Sequence, residues 1–205
     1  MAKRDELLEY IKNNEGVIRT RDVVKAGFRR ELLRELVNAG ELEQEARGVY
    51  ALPNRMIDTY YLVHQKCPKG VFSYSTALYF HELSDRTPYI MHLTVPQGYG
   101  TGFLKSEFPN IQFHYVYPEF QELGVESVKT PNGQTVYAYN PERCICDLLK
   151  ARRSKKRGID QQVFSGAMTG YFQRKNKDLL RLAQYAAIFG VEKDLRTYTE
   201  VFLPW

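Results

Sequence analysis

Apolar residues near the start of the chain, Leu7, Leu8 and Ile11, recur at helical spacing and predict a first helix ending near Asn13-Asn14-Glu15-Gly16. Val17-Ile18-Arg19 is short and β-branched, and Thr20 is placed to cap a second helix that carries Val23 and Val24. Gly27 stops that helix, and a third runs from about Arg29 to Asn38 before Ala39-Gly40. On it Leu32, Leu33, Leu36 and Val37 share one face, while Arg30, Arg34 and Asn38 follow at i, i+4 and i+8 on the other. The period then changes to two. Leu42 to Glu45 and Val49 to Leu52 alternate as strands around an Ala46-Arg47-Gly48 turn. Helix, turn, helix and β-ribbon in this order form a winged helix-turn-helix, which sets one helix into a DNA major groove. Glu31 and Glu35 lie beside the arginines, so the polar stripe also fits a salt-bridged surface helix.

A boundary is expected near Pro53-Asn54-Arg55, dividing the chain into residues 1–53 and 54–205. Beyond it the pattern predicts a helix over 56–65 and a strand from Val71 entering a helix at Ser75-Thr76-Ala77-Leu78. Strands follow at 90–95 and 113–117, then a hairpin of 125–129 and 135–139 around Pro131-Asn132-Gly133. Asn140 caps a helix with Pro141 in its first turn and Ile145, Leu148 and Leu149 on its buried face. Further helices fit 160–172, 178–189 with Gly190 after it, and a short one from Glu192. The fold class expected is α+β, an N-terminal winged helix-turn-helix followed by a mixed α/β domain ending in helices.

Hydrophobic content of 43% and charged content of 26% over 205 residues describe a soluble globular chain. No apolar run reaches the roughly 18 to 20 residues that span a bilayer. The charged start from Lys3 does not read as a secretory signal, and three cysteines without framework spacing point to a reducing cytoplasm. The net charge of +5 is unevenly spread. Residues 1–55 carry 11 basic and 10 acidic side chains, residues 56–149 carry 6 and 9, and residues 150–205 carry 12 and 5. The reading head is thus nearly neutral, and the C-terminal quarter supplies the positive field that phosphate contact requires. Its dense block is Lys150, Arg152, Arg153, Lys155, Lys156 and Arg157, followed by Arg174, Lys175, Lys177 and Arg181. A solubilising surface would have the same composition.

Catalytic signals are sparse. Cys144 and Cys146 fall about 200° apart on a helix, too far round to share a metal, and are expected in the core. His81-Glu82-Leu83-Ser84-Asp85 lacks the second histidine of a zinc-protease helix, and His92 sits inside an alternating strand. Gly98-Tyr99-Gly100-Thr101-Gly102 follows a strand, but it matches neither dinucleotide nor P-loop spacing and is expected as a flexible loop. Ser73 and Ser75 are outside a nucleophile-elbow frame. No enzyme, metal or cofactor is expected. A nucleic-acid enzyme would need Glu82, Asp85, Asp147 and the histidines gathered into one pocket.

Several segments together resemble the AbiEi-type antitoxins of abortive-infection toxin–antitoxin systems, a phage-defence class. They are Gly48 to Pro53, Phe72 to Leu83 (FSYSTALYFHEL), His92 to Pro96 and Asn140 to Leu149 (NPERCICDLL), so the resemblance runs over essentially the full length. It implies a transcriptional repressor that binds inverted repeats in its own promoter. It also implies an antitoxin domain that antagonises a nucleotidyltransferase-like toxin without a stable complex. A monomer in solution that binds double-stranded DNA cooperatively is the corresponding expectation, with no membrane partner. On this reading Arg29, Arg30 and Arg34, with Asn38, reach base edges or flanking phosphates, while Thr20 and Arg21 lie near the backbone. Arg47 borders the minor groove, and Lys150, Arg152, Arg153, Lys155, Lys156 and Arg157 hold further phosphates. The alternative is a protein-interaction module that docks and inhibits the toxin directly.

Overall fold

Leu7 and Ile11 are fully buried on helix α1 (Lys3–Asn13), and around them the first core assembles. In the computed structural model, which describes residues 3–153 and 160–202, the chain divides into two compact units. The first comprises residues 1–68 with 130–134, the second residues 69–129 with 135–205.

In the first unit, strand β1 (Val17–Arg19) leads into α2 (Thr20–Lys25) and α3 (Glu31–Asn38). Strands β2 (Glu43–Ala46) and β3 (Val49–Ala51) complete a three-stranded antiparallel sheet of order β1-β3-β2. Leu32, Leu33 and Leu36 from α3 join Leu7, Ile11, Ile18, Val23 and Leu42 in one apolar cluster. Burying such side chains contributes roughly 1.5–3 kcal/mol each before conformational entropy is set against it. Helix α4 (Thr59–Lys66) also belongs to this unit, so the division falls after residue 68 and not at 53. The cause is local bonding. Arg19 Nη1 donates to the Gln65 carbonyl at 3.2 Å, and the Tyr61 hydroxyl donates to Glu15 at 3.4 Å. The 130–134 turn is tied in by Gln134 Nε2, which donates to the Met56 carbonyl at 2.5 Å.

The second unit holds a five-stranded mixed sheet of order β6-β5-β4-β8-β7. Its strands are β4 (Val71–Phe72), β5 (Met91–Pro96), β6 (Ile111–Val116), β7 (Val125–Lys129) and β8 (Thr135–Tyr139). Helix α5 (Tyr74–Phe80) follows β4, α6 (Gly102–Glu107) crosses between the parallel strands β5 and β6, and α7 (Pro118–Gln121) is a single turn. The helical end consists of α8 (Pro141–Arg153), α9 (Gln161–Gln173), α10 (Leu179–Phe189) and α11 (Glu192–Phe202). Both units together give the α+β class, winged helix-turn-helix first and helices last.

Helix α8 is enclosed on all sides over most of its length: Glu142 through Leu149 are buried without interruption, and its last turn reaches solvent. Cys144 and Cys146 are both fully buried, as expected, yet on opposite faces of a stretch, residues 142–149, that has no solvent face. Among its buried polar residues, Arg143 is bonded through both Nε and Nη1. Its guanidinium donates to Asp147 Oδ2 at 3.0 Å and to the carbonyls of Phe120 and Leu123 at 3.0 and 3.1 Å. It also lies 4.4 Å from the Tyr139 ring centroid and 4.0 Å from that of Phe189. The chain passes so close at Gly124 (φ 82°) that a Cβ there would sit 2.9 Å from the Arg143 Cβ.

Candidate nucleic-acid interface

The helix-turn-helix is built from α2, the turn through Gly27 and α3. Helix α3 begins at Glu31, with Arg30 as its N-cap, two residues later than the sequence predicts. Packing orients it. Three leucines face the core, which leaves Arg34 and Asn38 exposed with Arg29 and Arg30 at the entrance. Arg30 Nε donates to Glu31 Oε1 at 3.2 Å, but the pair is 75% and 61% exposed. Exposed pairs contribute about 0–1 kcal/mol, so this one holds Arg30 only weakly. Arg34 makes no ion pair or side-chain hydrogen bond among the described residues.

Thr20 does not cap α2 as the sequence suggests. It is the first helical residue, Arg19 is the extended N-cap, and no side-chain cap bond forms. The Thr20 N–H instead donates to the Gly48 carbonyl at 3.0 Å, joining the start of α2 to the wing. Arg21 is exposed and 3.7 Å from Asp22. Arg19 is bound to Asp22 and to Gln65, which removes it from the available cations. The wing is the β2–β3 hairpin, with exposed Arg47 and left-handed Gly48 (φ 76°) at its tip. A register shift between Gln44 and Ala46 marks a bulge just before it. Lys25 is also exposed, at the end of α2, a helix too short for its sequence period to single the residue out.

The C-terminal cations have intramolecular roles. Lys150 is exposed with its ammonium 5.7 Å from the Phe189 ring centroid, and Arg152 stacks 4.4 Å from that of Phe164. Arg153 donates to the Gly190 carbonyl at 2.7 Å and pairs with Asp194, fastening the α10–α11 corner. Lys155, Lys156 and Arg157 lie outside the described residues.

The groups considered for catalysis are scattered. Asp147 is held by Arg143 in the core. Glu82 and Asp85 line a cavity of about 340 Å³ with Arg86, Gln162 and Thr169 but no histidine. His92 Nδ1 lies 2.9 Å from His114 Nε2, and burial pushes the His92 imidazole down to about 4. His64 is likewise pushed down to about 4 by burial, with Arg19 adding to the effect. Ser73 is fully buried and accepts from the Thr94 hydroxyl at 2.8 Å. The Gly98–Gly102 segment is the connection into α6. No group of three or more His, Cys, Asp and Glu is placed to hold a metal among the described residues. No helix of the described residues is long and apolar enough to cross a membrane.

Comparison with known proteins finds no match among curated sequences. A crystal structure of the RV2827C protein from Mycobacterium tuberculosis aligns over 94% of this chain and 78% of its own, with 12% identity and a TM-score of 0.48. A family model described as "Transcriptional regulator, AbiEi antitoxin" matches residues 5–53, a regulatory family and not an enzyme family. The match spans α1, the helix-turn-helix and the wing, and ends before the other segments that carry the resemblance. The stretch of the chain that holds the helix-turn-helix and its wing is therefore similar to the AbiEi antitoxin family of transcriptional regulators.

Proposed function

We propose that the chain is an autoregulatory repressor and antitoxin that binds duplex DNA through its first unit. The observation that carries this reading is the α3 surface: Arg29, Arg30, Arg34 and Asn38 exposed on a helix whose opposite face is fixed in the core. Helix α3 enters the major groove, Arg34 and Arg30 donate to base edges and flanking phosphates, and Arg47 borders the minor groove. Thr20 and Arg21 lie by the phosphate backbone. Lys150, Arg152, Arg153, Lys155, Lys156 and Arg157 extend the phosphate contact, favouring bent DNA or cooperative binding at neighbouring repeats. The operator is an inverted repeat in the chain's own promoter, and residues 54–205 act as the antitoxin domain against a nucleotidyltransferase-like toxin, without a stable complex. The protein is a cytoplasmic monomer free of cofactor.

Footprinting on DNA from upstream of its own gene tests the reading. Protection of a repeated site by the full chain is expected, lost in Arg30→Ala/Arg34→Ala. Uniform, sequence-independent binding, or none, overturns it. Co-purification of a stoichiometric complex with the toxin would favour direct docking instead.

A further inference from the structure

The five-stranded sheet of the second unit has two edges, and they differ in chemistry. Strand β7 carries Glu126 and Lys129, charges of the kind that keep an edge from pairing with another chain. Strand β6 carries none: from Phe108 to Pro118 there is no Asp, Glu, Lys or Arg. Among the described residues β6 pairs with β5 alone. The Met91 N–H donates to the Asn110 carbonyl at 2.8 Å, and the Gln97 N–H donates to that of Val116 at 2.8 Å. Strand alternation between these points turns the N–H and C=O groups of Ile111, Phe113 and Tyr115 outward. The Phe113 carbonyl accepts from the Gln112 side chain at 3.1 Å, a local substitute for a missing strand. Exposed apolar side chains flank both ends of this edge. Tyr89 and Ile90 precede Met91, which pairs with Ile111, while Tyr115 and Tyr117 lie at the other end.

We propose that β6 pairs antiparallel with β6 of a second copy of this chain. The occupant follows from the chemistry of the edge. A charged partner strand has nothing to grip on a neutral one, whereas a second copy meets no like charge. Residues opposite each other in an antiparallel pair share a face, so a two-fold axis at Phe113 sets Phe113 against itself and Ile111 against Tyr115 of the second copy. The outward residues then form hydrogen-bonded pairs, about six main-chain bonds in all. The same axis carries Tyr117 of each copy toward the Ile90 end of the other, apolar surface onto apolar surface. An edge of six residues is about 20 Å long and a small contact, at the weak end of specific interfaces. The chain is therefore monomeric when dilute and paired when concentrated. The pairing needs no DNA, so it stands or falls separately from operator binding.

Sedimentation of the full chain from about 1 μM to about 500 μM tests it. The mass is expected to rise from 23.9 kDa toward twice that value. Tyr115→Pro removes an outward N–H that β5 does not use, and is expected to weaken association about tenfold or more. Tyr115→Ala keeps that N–H and should associate better than the proline variant, and Glu126→Ala on the other edge should associate like wild type. Hydrogen exchange of the wild-type chain reads the register without any variant. The amides of Ile111, Phe113 and Tyr115 are expected to slow with concentration, and those of Gln112 and His114, which face β5, are not. A constant monomer mass, association by Tyr115→Pro equal to wild type, its loss in Glu126→Ala, or exchange at the outward amides that ignores concentration would each overturn the proposal.

Discussion

Helices α3 and α8 both carry arginines, and the two environments could hardly differ more. Arg143 on α8 is buried, stacked between two rings and bonded to one carboxylate and two carbonyls. Arg34 on α3 is exposed and makes no such bond among the described residues. An arginine that is buried and bonded inside the fold is out of a partner's reach. One with all its donors toward solvent adds little to stability and is available for recognition. Charge alone therefore does not mark an interface; unspent donors do.

The largest effect should come from breaking the buried case. Arg143→Ala leaves Asp147 buried without its cation and is expected to destabilise the chain by about 3–5 kcal/mol, read from urea denaturation. Arg143→Lys should recover little, because an ammonium cannot make the same forked contacts. A loss below about 1 kcal/mol would mean that water replaces the guanidinium and that the contrast is false.

Acid should act on the buried groups and spare the exposed arginines. His64 and His92 titrate at about 4 in the folded chain and about 6.5 when unfolded. Between those values the unfolded state binds more protons. Stability present above about pH 6.5 is lost progressively as pH falls toward 4, and no further below it, by about 3 kcal/mol for each group. Thermal melts across this range check the slope, and His92→Asn should flatten it. If stability were level from pH 7 to 4, neither ring would be held neutral by burial.

Arg34→Ala sharpens the comparison from the other side. Stability should change by less than about 0.5 kcal/mol, while specific DNA affinity falls by roughly 1–3 kcal/mol. A variant that melted early would place Arg34 among the structural residues. The smallest effect is expected for Lys155→Ala/Lys156→Ala, which should weaken binding evenly across sequences and flatten the salt dependence by about one to two phosphate contacts. An unchanged salt slope would assign those cations elsewhere.

Elements with a strong local signal were legible in the sequence. The hairpin at Asn132-Gly133 has the strands expected, and α8, α9 and α10 start after Asn140, Asp160 and Asp178, each accepting backbone N–H bonds. Helices α6 and α7 were missed because six and four residues leave too little apolar period to detect. The all-round burial of α8 was missed too, since it depends on what other elements wrap it. The exposed face of α3 followed from its period. The engagement of Arg19 with Gln65 and of Arg153 with Gly190 did not, because those partners are 46 and 37 residues away.

The bond from the Thr20 N–H to the Gly48 carbonyl bears on how such a reader can change its target. It joins main chain to main chain, so substitutions at Thr20 or Arg47 leave both of its atoms in place. The distance between helix and wing is thereby decoupled from the identity of the side chains they display. On the proposed function, a new operator can be learned one residue at a time on a caliper whose opening stays the same.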